Sequence, residues 1–417
     1  MQTAQVAGAP IRMNQSQLDL MLDAHERFAT GRPGGRRLSL KFANLNGLDL
    51  SGRVLTDADL SGCSFEGAVM TRVRLDRANL FGCDLRQADL SFASITRADL
   101  RGASLRGANL SQADLTQADF REGTIGVASR AQGLAIHKHE RRPGTLDEAN
   151  LSGAKLDGSQ LVNASASATD FTDCSMKNAN LAGANLKDAD LSGAMLEGAE
   201  VTGANLENAK LKGAVLSGCD VRRARTTLGA DLSGVLGEPS EAALQMAGKL
   251  LDRAKANQLW RKSGGKEGKP AQLDGADLRP LGDALKGMLL TAMTARGACL
   301  VGVDLSGCEL QGANFEGADM RGVNLRGADL RGARLIGANL TKANLCDAVL
   351  SPLPLSVDRE TAANLTGATL RYANAKGCDF TGAIMDGAHM RGADMTGAVL
   401  TRVNREDVDF SNAKGLA

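Results

Sequence analysis

At 417 residues the chain has room for two or three ordinary domains or one long repeat array, and 49 Lys+Arg against 48 Asp+Glu leave a formal charge of +1. That balance excludes the one-sign field of a typical nucleic-acid binder, and no run of about 18 apolar residues offers a membrane span. Aromatics are only 3% while Gly numbers 49 and Pro 8, so the core must be built from Leu, Ala and other small side chains.

The first residues, MQTAQVAGAPIRMNQSQ, lack the apolar stretch of a secretory signal, which makes the cytoplasm the expected compartment. NQSQLDLMLDAHERFATGRPGGRR then sets Leu18, Met21, Leu22, His25 and Phe28 on one helical stripe. The stripe predicts a short capping helix within residues 1–38, followed by a Gly-rich turn.

From Leu45 the spacing changes. An apolar residue recurs every fifth position, at Leu50, Leu55, Leu60, Phe65, Met70, Leu75 and Leu80, and on to Phe120 and Ile125. Two residues before each stands a small one, as at Ala58, Cys63, Ala68 and Val73. A strand alternates with period two and a helix recurs near 3.6. A period of five with two inward and three outward residues calls instead for a short extended piece and a tight corner, where Gly and Asn tolerate the dihedrals. One such unit cannot bury its apolar face alone, so neighbours must stack on it.

This A(D/N)LxG pattern, as in ADLSFASITRADLRGASLRGANLSQADL between Ala88 and Leu115, resembles the pentapeptide-repeat family and covers roughly two-thirds of the chain. The resemblance implies an all-β solenoid, a right-handed quadrilateral β-helix with four units per coil. Residues twenty apart then lie one above another at about 4.8 Å, the spacing of adjacent strands. The N-terminal helix is similar to the lead-in of many bacterial members, and capping an open end of stacked strands is its expected role.

Interruptions divide the array. Repeats are expected over 39–126, 146–226, 272–350 and 363–417. They are separated by a loop at 127–145, a helical insertion with loop at 227–271 and a loop insertion at 351–362. All eight prolines fall outside the clean repeats, as expected of residues that withhold a ladder donor. Within the large insertion, PSEAALQMAGKLLDRAKANQLWRK reads as a helix with Ser240 as N-cap and Leu244, Ala247, Leu251 and Ala254 on one face. The stretch 281–297 fits either a helix or degenerate repeats.

Little in the sequence speaks of catalysis, and no metal or other cofactor is expected. His137 and His139 form an HxH with Glu140 nearby, but in HKHERR they read as a solvated basic loop. GGKEGKP lacks the Ser/Thr and glycine spacing of a phosphate loop. Cys63, Cys83, Cys174, Cys219, Cys308 and Cys378 all take the small inward position, where cysteine acts as a small hydrophobe.

Stacking by twenty places Asp59, Asn79, Asp99 and Asp119 on one ladder, with Arg101 above Arg121 beside it and Arg77 above Arg97. This predicts local salt bridges rather than a basic groove. Arg321, Arg326 and Arg331 should point from successive faces. Residues 151–221 are moderately acidic.

The expected function is that of a non-enzymatic, rigid scaffold or regulator that binds a protein partner through its insertions. Leu251, Trp260, Arg261, Lys262 and Lys266 are the candidate contacts and the 127–145 loop comes next. Trp260 has an alternative role in anchoring the insertion. Some proteins of the resembled family mimic duplex DNA and act on DNA gyrase, so a DNA-mimic modulator of gyrase is an alternative, and a secreted effector is another. The C-terminal end, which carries no apolar helix, could pair with a second copy to make a homodimer.

Overall fold

Five residues are too few to form a hydrogen-bonded pair within one unit, so the backbone finds its partners four units away. Asn79 N–H donates to Ala58 C=O and Leu60 N–H donates to Asn79 C=O, both at 2.9 Å. The resulting parallel bridges run Asp59↔Asn79, Ser64↔Asp84, Val69↔Asp89 and Arg74↔Ser94, and the series continues twenty residues at a time. Each 20-residue stretch is called a coil below. At each corner a turn closes, as where Ala58 N–H meets Leu55 C=O at 3.1 Å. The third residue of that turn needs positive φ, the requirement of type II geometry. Asp57 meets it at 62° and Gly62, one unit on, at 68°.

The computed structural model describes residues 12–131 and 134–416, with side chains given outside 125–139. The chain divides into two units, Met1–Glu238 and Pro239–Ala417.

In the first unit, helix α1 (Gln15–Ala29) begins at the N-cap Asn14, which forms a capping box with Gln17. Leu18, Leu22 and His25 are fully buried, Met21 is half-buried, and Phe28 turns out to be largely exposed. Bridged coils follow to Phe120. Ile125 then leaves the repeat and enters strand β1 (Gly123–Ala131), which pairs antiparallel with β2 (Leu134–Arg142). The expected loop is therefore a hairpin, carried as an insertion within one coil, since the bridge Ser104↔Thr145 spans it. His137 and His139 fall among the side chains outside the described residues. Repeats resume at Leu146 and run past the expected end. A 3₁₀ turn at Val221–Arg223 adds one residue, after which Asn205↔Thr226, Lys210↔Asp231 and Val215↔Leu236 extend the ladder. Degenerate spacing, RRARTTLGADLSGVL with one residue too many, hid this coil from a search for strict fives.

The second unit opens with helix α2 (Glu241–Lys262) and enters its ladder at Gln272↔Thr294. The stretch 281–297 proves to be repeats. After a 3₁₀ turn at Arg279–Leu281, Leu285, Leu290 and Ala295 are all fully buried in five-residue register. A small hairpin of β3 (Leu353–Ser356) and β4 (Arg359–Thr361) bulges between Leu350 and Ala363, and the bridge Arg334↔Asn364 closes beneath it. The last bridges are His389↔Asp409 and Asp394↔Lys414.

Both interiors are columns of Leu, Met and Phe beside columns of Ala, Val and Cys, nearly all fully buried. Each such Leu contributes about 1.5–3 kcal/mol of burial. All eight cysteines are free. The inward thiols donate to the backbone, Cys83 Sγ to Leu60 C=O at 3.1 Å and Cys308 Sγ to Leu285 C=O at 3.0 Å. Burial pushes Cys63, Cys219 and Cys308 up to about 11, so these thiols are inert packing atoms.

Candidate functional site

The two helices that open the two units are held in the same way. On α2, Leu250, Ala254 and Asn257 are buried, and on α1 the buried set is Leu18, Leu22 and His25, with the same spacing. In each case the third member is polar and grips two backbone groups of the coil beneath. Ala271 N–H donates to Asn257 Oδ1 and Asn257 Nδ2 donates to Thr291 C=O, both at 3.0 Å. Leu38 N–H donates to His25 Nδ1 at 2.9 Å, and His25 Nε2 lies 3.0 Å from Thr56 C=O. Leu38 and Ala271 each precede a first-rung residue, Ser39 and Gln272, while Thr56 and Thr291 stand three residues before their bridge partners Asp59 and Thr294. The neighbouring residue repeats the correspondence. Val54 N–H donates to Glu26 Oε1 at 3.1 Å and Leu289 N–H to Gln258 Oε1 at 3.4 Å.

A glycine completes each module. A Cβ on Gly35 would lie 2.3 Å from Phe28 N, and one on Gly268 would lie 2.1 Å from Ala256 O and 2.9 Å from Trp260 N. The return segment can therefore press onto the last helical turn only where no side chain intervenes. Helix α2 thus opens the second unit as α1 opens the first.

This anchoring sets the rotation of α2 and shifts its buried stripe. Leu244, expected inward, is 56% exposed, Ala247 and Leu251 are half-buried, and only Ala254 of the expected face is at the bottom. Ser240 is the N-cap, its hydroxyl accepting from Ala243 N–H at 3.2 Å. Arg261 and Lys262 sit in the last turn, where the helix dipole favours cations.

The sequence-predicted contacts separate into two groups. Leu251 packs against the core and Arg261 Nε lies 3.4 Å from Glu309 Oε2, so both help seat the helix. Trp260 is half-buried at the helix end, its indole edge against Gly265. Lys262 and Lys266 are exposed and make no ion pair among the described residues. Sequence reasoning missed Asn257, Gly268 and three further cations, Lys249, Arg253 and Lys269. The internal correspondence of LDLMLDAHERF with LLDRAKANQLW, which sets His25 beside Asn257, was the available signal for the first.

Charge on the repeats is locked locally. Arg101 pairs with Asp99 and Arg121 with Asp119, both at 2.7 Å, and Arg331 with Asp329 at 2.6 Å. Arg77 reaches back twenty residues to Asp57 at 2.6 Å. Arg321, expected to project, is instead folded onto Asp319 at 2.6 Å and is buried. In the acidic block, Lys177–Glu197 at 3.0 Å and Lys187–Glu207 at 2.9 Å neutralise successive coils.

Burial holds the His25 imidazole below its ordinary value, opposed first by its hydrogen bond to the Thr56 carbonyl and then by Asp57 and Glu26, with Arg37 adding to the lowering. Its Nδ1 already accepts the Leu38 N–H, so a proton there would set two donors face to face. A lowered folded pKa means that the unfolded chain binds more protons, so stability rises with pH. The His25 contribution should be complete above about pH 6.5 and be lost as pH falls from there through the lower folded value. An imidazole titration by NMR should show a midpoint below the free value; an ordinary midpoint would refute this.

Repeats whose parallel bridges recur every four five-residue units define a pentapeptide-repeat architecture, and comparison with known proteins agrees. The family model described as pentapeptide repeats matches residues 36–121, 145–183, 189–225, 298–351 and 363–414, well over half the sequence. The chain belongs to that family. Among solved structures it is similar to QnrB1, a plasmid-mediated fluoroquinolone resistance protein, at 19% identity over 50% of this chain and 86% of the other, with a TM-score of 0.22. A pentapeptide repeat protein of the Arabidopsis thaliana thylakoid lumen matches at 25% identity, over 31% and 66% of the two chains, with a TM-score of 0.18. HetL, a pentapeptide repeat protein involved in heterocyst differentiation regulation from the cyanobacterium Nostoc sp. strain PCC 7120, matches at 21% identity over 97% and 99%, with a TM-score of 0.12. No curated protein matches. No helix among the described residues is long and apolar enough to cross a membrane.

Proposed function

We propose that this chain is a non-enzymatic scaffold in which right-handed quadrilateral β-helices present α2 and its return loop to a protein partner with an acidic surface. The supporting observation is a contrast in charge. Most arginines on the repeats are paired with neighbouring carboxylates, although Arg97 turns to Gln117 and Arg72 to the Phe92 ring, whereas residues 239–270 carry seven Lys/Arg against three Asp/Glu, with Lys262 and Lys266 unpaired among the described residues. Beside them lie the exposed Leu259 and the half-buried Trp260, and tryptophan is a residue type enriched at interface hot spots. Leu251 and Arg261 support this surface from below.

The DNA-mimic alternative requires a continuous acidic face, and the lysine pairs of the 151–221 block work against one. Capture from a native lysate should compare the intact chain with Trp260→Ala and with Lys262→Glu/Lys266→Glu, which leave the cap in place. Loss of the same partner from both variants is expected. A partner retained by both would move the binding to the repeat faces, and retained gyrase with altered supercoiling would favour the DNA mimic.

A further inference from the structure

The matching caps create matching clefts, and the two differ in what lines them. Between α1 and the first coil of its unit, Leu20, Met21 and Ala24 face Arg36 to Ser39 across about 290 Å³. Between α2 and the first coil of its own unit, Lys249, Asp252, Arg253 and Ala256 face Lys269 to Gln272 across about 520 Å³. Asp252, Arg253 and Ala256 stand where Leu20, Met21 and Ala24 stand, and Lys269 stands where Arg36 stands.

We propose that the α2 cleft is a binding site for a small phosphate-bearing anion. Three cations converge on it from two elements, Lys249 and Arg253 one turn apart on α2 and Lys269 on the return segment. Like charges four apart on a helix repel, so the arrangement costs stability unless an anion joins it. Lys249 and Lys269 have no acidic partner among the described residues, and Asp252, the one acid at the rim, lies 3.9 Å from Lys255. Arg253 uses one nitrogen on Gln272 C=O at 3.0 Å, which fixes its guanidinium with donors left over.

The cations are not needed to seat the helix. The α1 module makes the same backbone contacts with Gln17 and Met21 at the positions of Lys249 and Arg253. Ala256, Pro270 and Ala271 form a small-residue floor that leaves the space open, and its volume falls in the range of about 300–1,000 Å³ usual for small-ligand sites. A concave cleft closed on two sides suits a compact anion better than an extended acidic polypeptide. The lining contains cations, one carboxylate and an amide but no nucleophile–base pair, so the assignment is to binding alone. It draws on three of the seven cations of residues 239–270 and uses neither Trp260 nor Lys262 and Lys266.

The test is calorimetric titration of the full chain with pyrophosphate at low ionic strength. Lys249→Gln/Lys269→Gln is compared with Arg36→Gln/Arg37→Gln in the other cleft, and all three proteins are checked for unchanged circular dichroism. Saturable binding is expected, weakened at least about tenfold by the first pair of substitutions and little changed by the second, since charge-assisted contacts dominate. Affinity should fall as salt rises. Adenosine triphosphate tested alongside distinguishes a nucleotide, which would bind more tightly than pyrophosphate, from a smaller phosphorylated compound, which would not require the extra body. Absence of saturable heat at millimolar pyrophosphate, or equal weakening by both pairs, would overturn the proposal. Binding of an acidic peptide through Lys249 and Lys269 with pyrophosphate inert would overturn it too, in favour of a polypeptide ligand.

Discussion

Replacing Asn257 by alanine is expected to loosen α2 from the second unit and to lower that unit's stability by about 2–4 kcal/mol. Asn257 is fully buried, and its amide is the only described partner of the Ala271 N–H. It also donates to the Thr291 carbonyl. Truncation leaves the buried Ala271 N–H without an acceptor and the half-buried Thr291 carbonyl without its donor, and an unsatisfied buried group costs about 1–3 kcal/mol. The protein supplies its own reporter, because Trp260 is the sole tryptophan and lies one turn beyond Asn257 on the same helix. Urea unfolding followed by Trp260 fluorescence should therefore shift to lower denaturant, and the Ala271 amide should exchange about a hundredfold or more faster. Gln258→Ala is the control, since its single 3.4 Å bond is peripheral and should matter little. An Asn257→Ala midpoint equal to that of the parent would show that apolar packing by Leu250 and Ala254 alone seats the helix.

Asn257 also shows where sequence reading stopped. The five-residue recurrence made most of the ladder legible, because a period that fits neither strand nor helix leaves few ways to bury Leu and Ala together. The inward cysteines were legible for the same reason, sharing a column with alanines. The hairpin β1–β2 was missed because its register is set by cross-strand pairing of irregular residues and not by apolar alternation. The coil ending at Leu236 was missed because one added residue at Val221–Arg223 breaks the count.

The rotation of α2 failed differently. An apolar stripe through Leu244 and Leu251 competes with a stripe whose third member is an asparagine, and hydrophobic patterning gives a polar residue no weight. Two backbone hydrogen bonds decide between them, and they become predictable only when Leu250, Ala254 and Asn257 are set beside Leu18, Leu22 and His25. The candidate contacts suffered from the same rotation. Lys262 and Lys266 are exposed, while Arg261 turns to Glu309. The cleft cations were invisible because convergence across a return loop leaves no local spacing.

The core carries the largest expected single effect. Phe315 is fully buried, and the residues stacked on either side of it along its column are Ala295 and Leu335. Removing the ring by Phe315→Ala leaves two consecutive alanines in one column, with only a methyl group from the preceding coil to move into the gap. Backbone bridges hold the coils at fixed spacing, as Phe315 N–H does to Arg334 C=O at 2.7 Å, so the cavity cannot collapse by bringing coils together. A loss of about 3–5 kcal/mol is expected, the upper range for core truncation. Because a stacked repeat touches only its neighbours, the damage should be local. Hydrogen exchange should accelerate most across 295–334 and fade along the second unit, while the first unit keeps its protection. Phe315→Leu, which retains most of the volume, should cost roughly 1 kcal/mol. Uniform acceleration through the whole second unit would mean that its coils unfold as one cooperative block, and no acceleration would mean that the column relaxes to fill the space.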